Sequence, residues 1–332
     1  MDIAVIGAGS WGTTLAILLA KNGHHITLWV YEDELAEKMA STHENSMYLP
    51  GYTFPENITI SQSLEETLNS HDLIVNVVPT QFIRSVFFPL ENSIKKGKII
   101  VTASKGVEKF SFFTVTGILD NIFGDAHKYA VISGPSFAKE VVKENPAAVS
   151  VAAHDKDVAL MLQKVFSNHY FRVYRNNDVK GVELGGALKN VIALASGVSD
   201  GLGFGHNTRA ALITRGLAEI VRLGVKMGAQ PQTFSGLSGL GDLVLTCTGD
   251  LSRNRSVGLK LGQGMKLREI LDTMHMVAEG VETTFSVYNL SLKMKVEMPI
   301  VERMYQILYK DEDPHEAVSH LMMRAYKQEF DE

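Results

Sequence analysis

Glycines at positions 7, 9 and 12 follow four apolar residues, Ile3 to Ile6, and run straight into a helical pattern from Thr13. This order of residue types makes a buried strand, a tight turn and a helix whose free N–H groups point at an anion. Gly7 allows the turn, Gly9 lets a pyrophosphate approach the backbone, and Gly12 lets helix and strand lie close together. A bare glycine triplet is a weak signal, but a strand before it and a helix after it turn it into a dinucleotide fingerprint.

Proton and anion chemistry needs charged groups in the same place. Lys105 follows the fourth apolar run, in Val101–Gly106. A lysine at the carboxyl end of a strand faces the crevice where such sheets bind ligands; the alternative is a solvated loop lysine. Lys189 lies in a helical stretch with two adjacent glycines, Gly185 and Gly186. Glycines in a helix cost stability, so close contact or a ligand must justify them. Helical periodicity puts Gly185, Gly186, Lys189, Ala193 and Ser196 on a small, polar stripe, with Leu184, Leu188, Val191 and Ala195 on the apolar one. Lys189 then projects from a face with room beside it, or snorkels from a half-exposed helix.

Asp242 follows three glycines (236, 239 and 241) and precedes an apolar, hydroxyl-bearing segment ending in Thr246-Cys247-Thr248. A carboxylate in such a place is costly unless paired, and Lys189 is the expected partner; a helix N-cap is the alternative. In Ser252-Arg253-Asn254-Arg255, Ser252 reads as an N-cap, which puts Arg253 and Asn254 on the first helical turn. A cation there opposes the helix dipole, a conflict that a bound phosphate relieves. At the end of the second apolar run stand Tyr31, Glu32 and Asp33. Glu32 there either holds the ribose hydroxyls of NAD, repelling the 2′-phosphate of NADP, or favours the start of the next helix.

The elements that carry these residues alternate. Apolar runs at 3–6, 26–30, 73–78, 99–103, 129–132, 149–152 and 170–174 read as strands, several of them continuous, as in strands covered on both faces. Helical patterns at 13–22, 32–40 and 158–166 lie between them, which predicts a doubly wound, mostly parallel α/β sheet of Rossmann type. From residue 179 the strands fade, and helical patterns cover 179–198, 207–227, 252–261, 282–293 and 299–308. The expected division is therefore a dinucleotide-binding domain over 1–178 and an all-helical substrate and catalytic domain over 179–332.

Composition narrows the class. The 332 residues are 45% hydrophobic and 21% charged, ordinary for a globular protein large enough for two cores. A net charge of −5 argues against a general nucleic-acid binder. The single cysteine, Cys247, excludes an intramolecular disulfide and fits a reducing compartment. No apolar run approaches the roughly 20 residues of a membrane span. The first strand leaves no room for a cleavable signal, so a cytoplasmic location is expected. No His/Cys/Asp cluster has metal-ligand spacing, so no metal is expected. His206 and His275 read as structural, and Met304, Met322 and Met323 as helix packing.

Taken together, GAGSWGT (7–13), SKG (104–106), SGPSFA (133–138), ELGGALKN (183–190), LSGLGDLVLTCTG (237–249), SRNR (252–255) and VAEGVET (277–283) resemble the bacterial-type NAD(P)-dependent glycerol-3-phosphate dehydrogenases. The resemblance implies a Rossmann domain followed by a helical domain, usually as a homodimer. It also implies reversible hydride transfer between NAD(P)H and dihydroxyacetone phosphate, giving sn-glycerol 3-phosphate for glycerophospholipid synthesis. Lys189 would be the proton donor and acceptor, with Lys105 beside substrate and cofactor. Gly134, Ser136, Asp242, Thr246, Ser252, Arg253 and Asn254 would line the substrate site. Ser10, Trp11, Ala138, Arg253, Val277 and Glu279 would contact the cofactor, beside Gly7, Gly9 and Gly12. The departure is at Tyr31-Glu32, where many relatives carry His or Arg, which leaves the choice between NAD(H) and NADP(H) open. Two rivals are a β-hydroxyacid or ketopantoate-type reductase on the same architecture and a non-catalytic NAD(H) sensor. The SRNR and LSGLGD stretches favour a phosphorylated substrate over the first, and the joint presence of Lys105, Lys189, Asp242 and Arg253 counts against the second.

Overall fold

The computed structural model describes residues 1–274 and 278–329; Val277 and His275 lie outside the described residues. The glycine fingerprint sits where the sequence puts it. Strand β1 (Asp2–Ile6) is buried from Ile3 onward and feeds through the glycine turn into helix α1 (Ser10–Lys21). Gly7 has φ +108, which L side chains rarely adopt, and a Cβ on Gly12 would stand 1.8 Å from the Gly7 carbonyl oxygen. Strand and helix can approach this closely only without that side chain.

From there strand and helix alternate through β2 (His25–Trp29), α2 (Asp33–Thr42), β3 (Ile58–Ser61), α3 (Leu64–Ser70), β4 (Leu73–Asn76), α4 (Ile83–Phe87), β5 (Ile99–Thr102), α5 (Val115–Phe123) and β6 (Lys128–Ser133). A short helix α6 (Ala138–Val141), strand β7 (Ala147–Ala153), helix α7 (Lys156–Phe166) and strand β8 (Phe171–Asn176) complete the layer. The sheet runs β3-β2-β1-β4-β5-β6-β7-β8. Its first six strands have the order of the dinucleotide fold, with the switch between β1 and β4. Among the described strands of this sheet only the β6–β7 pairing is antiparallel, so the mostly parallel reading holds. Strand β3, absent from the predicted set, is a four-residue edge strand with only its first residue buried. Its hydrophobic signal is too brief to separate from a loop.

Beyond Asn176 the described residues are helical: α8 (Val179–Gly201), α9 (His206–Lys226), α10 (Asp242–Thr248), α11 (Arg253–Gly262), α12 (Leu267–Asp272), α13 (Glu279–Met294), α14 (Pro299–Lys310) and α15 (Pro314–Met322). Helix α8 is the axis of this half: it is buried on every side over most of its length and touches α9, α10, α11, α13 and α14. Met304 lies in this core, as predicted, but Met322 and Met323 are 78% and 85% exposed, because α15 ends at the surface. His206 is exposed at the first residue of α9.

The start of α8 is fixed by Asp178. Its buried carboxylate accepts from Gly181 N (2.9 Å), Gln230 N (2.8 Å) and the Thr233 hydroxyl (2.7 Å). One side chain thus caps the central helix and ties it to the segment after α9. Replacing it leaves three donors unmatched, so Asp178→Ala is expected to lower the unfolding free energy by about 2–4 kcal/mol. Urea denaturation followed by circular dichroism checks this; an unchanged midpoint would remove Asp178 from the helix's support.

Candidate active site

Lys189 lies midway along α8 and is only 6% exposed. Its ammonium donates to Asp242 Oδ1 and, at 2.8 Å, to Thr246 Oγ1. Asp242, 1% exposed, is the first residue of α10, and its other oxygen accepts from Lys105 Nζ at 2.7 Å. The residue at the cap position is Gly241, and no side-chain bond caps this helix. Asp242 is therefore a bridge between two lysines rather than an N-cap. Lys105 stands just beyond β5 and also donates to the Gly134 carbonyl at 3.1 Å, so it points into the crevice and is no solvated loop residue.

The paired glycines of α8 have a contact reason. A Cβ on Gly185 would lie 2.5 Å from the Ser238 carbonyl oxygen, and one on Gly186 would lie 2.4 Å from Ser133 Oγ, with Lys105 Cδ at 3.5 Å. The space beside Lys189 is thus filled by the π-helical turn Leu237–Gly241 on one side and the end of β6 on the other. The snorkelling alternative fails because α8 offers Lys189 no solvated face. Burial is the main influence on its ammonium and pulls the pKa down to about 8. The Asp242 carboxylate works against that shift, and the Lys105 charge adds to it.

Around this core stand the other predicted residues. Gly134 has φ +148, and a Cβ there would stand 2.9 Å from Val149 Cα. Its carbonyl accepts from both Lys105 and, at 3.0 Å, the Ser136 hydroxyl. The Ser252 hydroxyl caps α11 by accepting from Arg255 N at 3.2 Å, and Arg253 is exposed on the first turn. Asn254 turns inward, and its side-chain oxygen accepts from Gly280 N at 3.0 Å, tying α11 to the start of α13. Glu279 accepts from Thr80 N at 3.3 Å. Burial raises its pKa while the charges of Arg253, Lys105 and Lys189 act to lower it, so its carboxyl sits in the field of the same three cations.

The fingerprint end can hold a dinucleotide. Space is open around Gly9 where a Cβ would point, and the first turn of α1 carries no acid and no side-chain cap on its N–H groups. Ser10 donates to the Tyr48 carbonyl at 2.6 Å, and Trp11 is half-buried against the core. Ala138 begins α6, with its carbonyl 3.5 Å from the Thr14 hydroxyl on α1. Tyr31 is 74% exposed, edge-on to Trp29. Glu32 makes no cap bond to α2; its carboxylate accepts from the Tyr48 hydroxyl at 2.8 Å.

Tyr48 was not among the predicted residues, since nothing in a lone tyrosine of the loop after α2 signals that it returns to β2. Thr80 and Ser133 were missed as well. Their hydroxyl oxygens are buried without hydrogen-bond partners, Thr80 against Gly106 and Ser133 against Gly186. Two surface cavities, about 290 and 490 Å³, are lined by none of the predicted site residues. Among the described residues no group of acids, histidines or cysteine could hold a metal ion. No described helix is long and apolar enough to cross a membrane.

A doubly wound sheet with a glycine fingerprint, whose carboxyl edge meets a buried lysine from an all-helical half, is the arrangement of a nicotinamide-dependent oxidoreductase. Comparison with known proteins gives the particular kind. Residues 2–159 match the family model for the N-terminus of NAD-dependent glycerol-3-phosphate dehydrogenase, and residues 178–319 match that for its C-terminus. A glycerol-3-phosphate dehydrogenase [NAD(P)+] of Citrifermentans bemidjiense is 58% identical over 98% of both chains. One of Syntrophotalea carbinolica is 54% identical over the whole of both. The crystal structure of glycerol-3-phosphate dehydrogenase from Coxiella burnetii is 41% identical and superposes with a TM-score of 0.94, covering 97% of this chain and 99% of that one. The chain belongs to the NAD-dependent glycerol-3-phosphate dehydrogenase family. The ketopantoate-type and sensor alternatives are not favoured.

The two charges flanking Lys189 act on it in opposite senses. Asp242→Asn is expected to move the Lys189 titration below about 8 and Lys105→Met to move it above that value. The Lys189 Cε chemical shift, followed in a pH titration, reads both. A common direction for the two variants would contradict the geometry.

Proposed function

We propose that this chain catalyses reversible reduction of dihydroxyacetone phosphate to sn-glycerol 3-phosphate, with Lys189 as the proton donor. The observation that carries this reading is the buried Lys189–Asp242–Lys105 bridge at the sheet's carboxyl edge, on the same helix against which α11, with its Ser252–Asn254 start, is packed. When bound, the nicotinamide supplies the hydride that the ketone carbon accepts. The chain's own residues deal with the oxygen, which gains negative charge as the carbonyl is reduced. Lys189 Nζ gives it a proton, and a pKa near 8 places the donor close to working pH, where transfer in either direction is efficient. Asp242 holds the ammonium in place, while Thr246 fixes a second of its protons. Lys105 keeps the bridge cationic overall, two ammonium groups against one carboxylate, which suits an oxyanion and a phosphate-bearing substrate.

Arg253 and the capped start of α11 provide the phosphate site: a guanidinium at a helix N-terminus. The glycine turn, Ser10, Trp11, Ala138, Arg253 and Glu279 would hold the dinucleotide, with Val277 in the same set by resemblance. Glu32, held by Tyr48, is the residue available to ribose hydroxyls and favours NAD. We put the domain division at residues 178 and 179, with both halves contributing to the site: the sheet's last strand ends at Asn176, and the helix carrying Lys189 begins at Val179. A homodimer is in keeping with exposed apolar side chains such as Phe110, Phe113 and Leu292, and a buried, unpaired Cys247 with the cytoplasm.

Two substitutions separate the roles. Lys189→Ala is expected to keep NADH binding, measured by nicotinamide fluorescence, while turnover of dihydroxyacetone phosphate falls by roughly two to four orders of magnitude. Near-normal kcat would refute the assignment. Arg253→Ala is expected chiefly to raise KM for dihydroxyacetone phosphate, by about 10- to 100-fold, because a charge-assisted anchor is lost. An unchanged KM in steady-state assays would take the phosphate away from Arg253.

A further inference from the structure

Two arginines stand on the first turn of α11, but they are differently engaged. Arg255 turns away from the solvent and donates through Nε to Asp200 Oδ2 at 2.8 Å and through Nη1 to Asp250 Oδ1 at 2.9 Å. Asp200 is near the end of α8, the helix that carries Lys189, and its side chain is 6% exposed. Its other oxygen accepts from Arg209 of α9, Nε at 3.1 Å and Nη2 at 2.6 Å. One buried carboxylate thus joins three helices, and one of its two arginines lies two residues from Arg253.

The backbones of α8 and α11 are in contact along the same line. A Cβ on Gly197 would lie 2.1 Å from the Arg255 carbonyl oxygen, and one on Gly258 would lie 2.1 Å from that of Leu194. No side chain cushions this contact, so the Asp200–Arg255 pair acts on a helix that has little freedom to slide. The same helix begins with the Ser252 cap, Arg253 and Asn254, one turn that Arg255 shares.

We propose that Arg255 is a positioning residue: through Asp200 it holds the Ser252–Asn254 turn in register with Lys189, so that phosphate and carbonyl are presented together. Arg255 does not touch the phosphate. This inference rests on the proposed reaction and phosphate site. It explains why a turn that receives an anion carries a second arginine: Asp200 and Asp250 occupy that guanidinium.

The test compares Arg255→Ala, Asp200→Asn and the double variant with the parent enzyme. Arg255→Ala is expected to raise KM for dihydroxyacetone phosphate about 10- to 100-fold, as expected when an anchor is misplaced by an ångström or so. NADH affinity is expected to fall far less, by about threefold at most through Arg253, and kcat to stay within about threefold of the parent. In the Asp200→Asn background the same substitution is expected to add little, because the interaction it removes is already gone. Arg255→Lys, which keeps the charge, restores part of the loss and serves where the alanine variant does not fold. Affinity for inorganic phosphate, measured by calorimetry without turnover, is expected to weaken in parallel. An unchanged KM and phosphate affinity, equal losses in both backgrounds, or a loss of NADH binding as large as that of phosphate binding would each overturn the proposal. If the parent turns over no dihydroxyacetone phosphate, the proposed reaction fails, while the phosphate titration still decides the role of Arg255.

Discussion

The site depends on one buried carboxylate. Asp242 is almost fully enclosed, and an ion in such a place is tolerated only when its charge is met at close range. Two ammonium groups meet it, one from the end of β5 and one from the middle of α8. Because the partners come from the sheet and from the helical half, the bridge also fixes how these two parts face each other. Losing either lysine would leave the other paired; losing Asp242 would bury two like charges with nothing between them. The carboxylate is thus both the electrostatic centre and the fastener of the crevice.

That arrangement demands close approach, and much of the glycine in the chain serves it. Gly185 and Gly186 bring α8 against the Leu237–Gly241 turn and the end of β6, which sets Lys189 and Lys105 on the same aspartate. Gly134 lets its strand end pass Val149 and turns a carbonyl toward Lys105. Each of these residues is helix- or strand-weakening by its own propensity. Their local cost is offset by the contacts that the missing side chains permit, which is the usual sign that position matters more than propensity.

Much of this was legible in the residues. The fingerprint, the alternation of strands and helices, the change of pattern at 179 and the pairing of Lys189 with Asp242 all follow from period, glycine spacing and the cost of an unpaired charge. What escaped has physical reasons too. Strand β3 is a brief edge strand whose hydrogen bonds to β2, not its composition, make it a strand. The link from Tyr48 to Glu32 spans a loop whose path no local signal announces. The second half of the Asp242 bridge, Lys105, required knowing that two parts of the chain 137 residues apart share one oxygen pair. Met322 and Met323 look like packing residues by type, yet α15 ends before it can cover them.

The same geometry explains why a lysine, and not a histidine, can serve here. A histidine in so dry a place would be driven toward neutrality well below working pH and would have no proton to give. Lysine starts from about 10.4, so the same desolvation brings it into range instead of out of it. Asp242 limits the fall and Lys105 deepens it, which leaves the ammonium near 8. Burial sets the scale of the shift, and the two neighbouring charges trim it. A group that must donate in one direction and accept in the other needs this balance, and a fold that encloses α8 on all sides supplies its largest part.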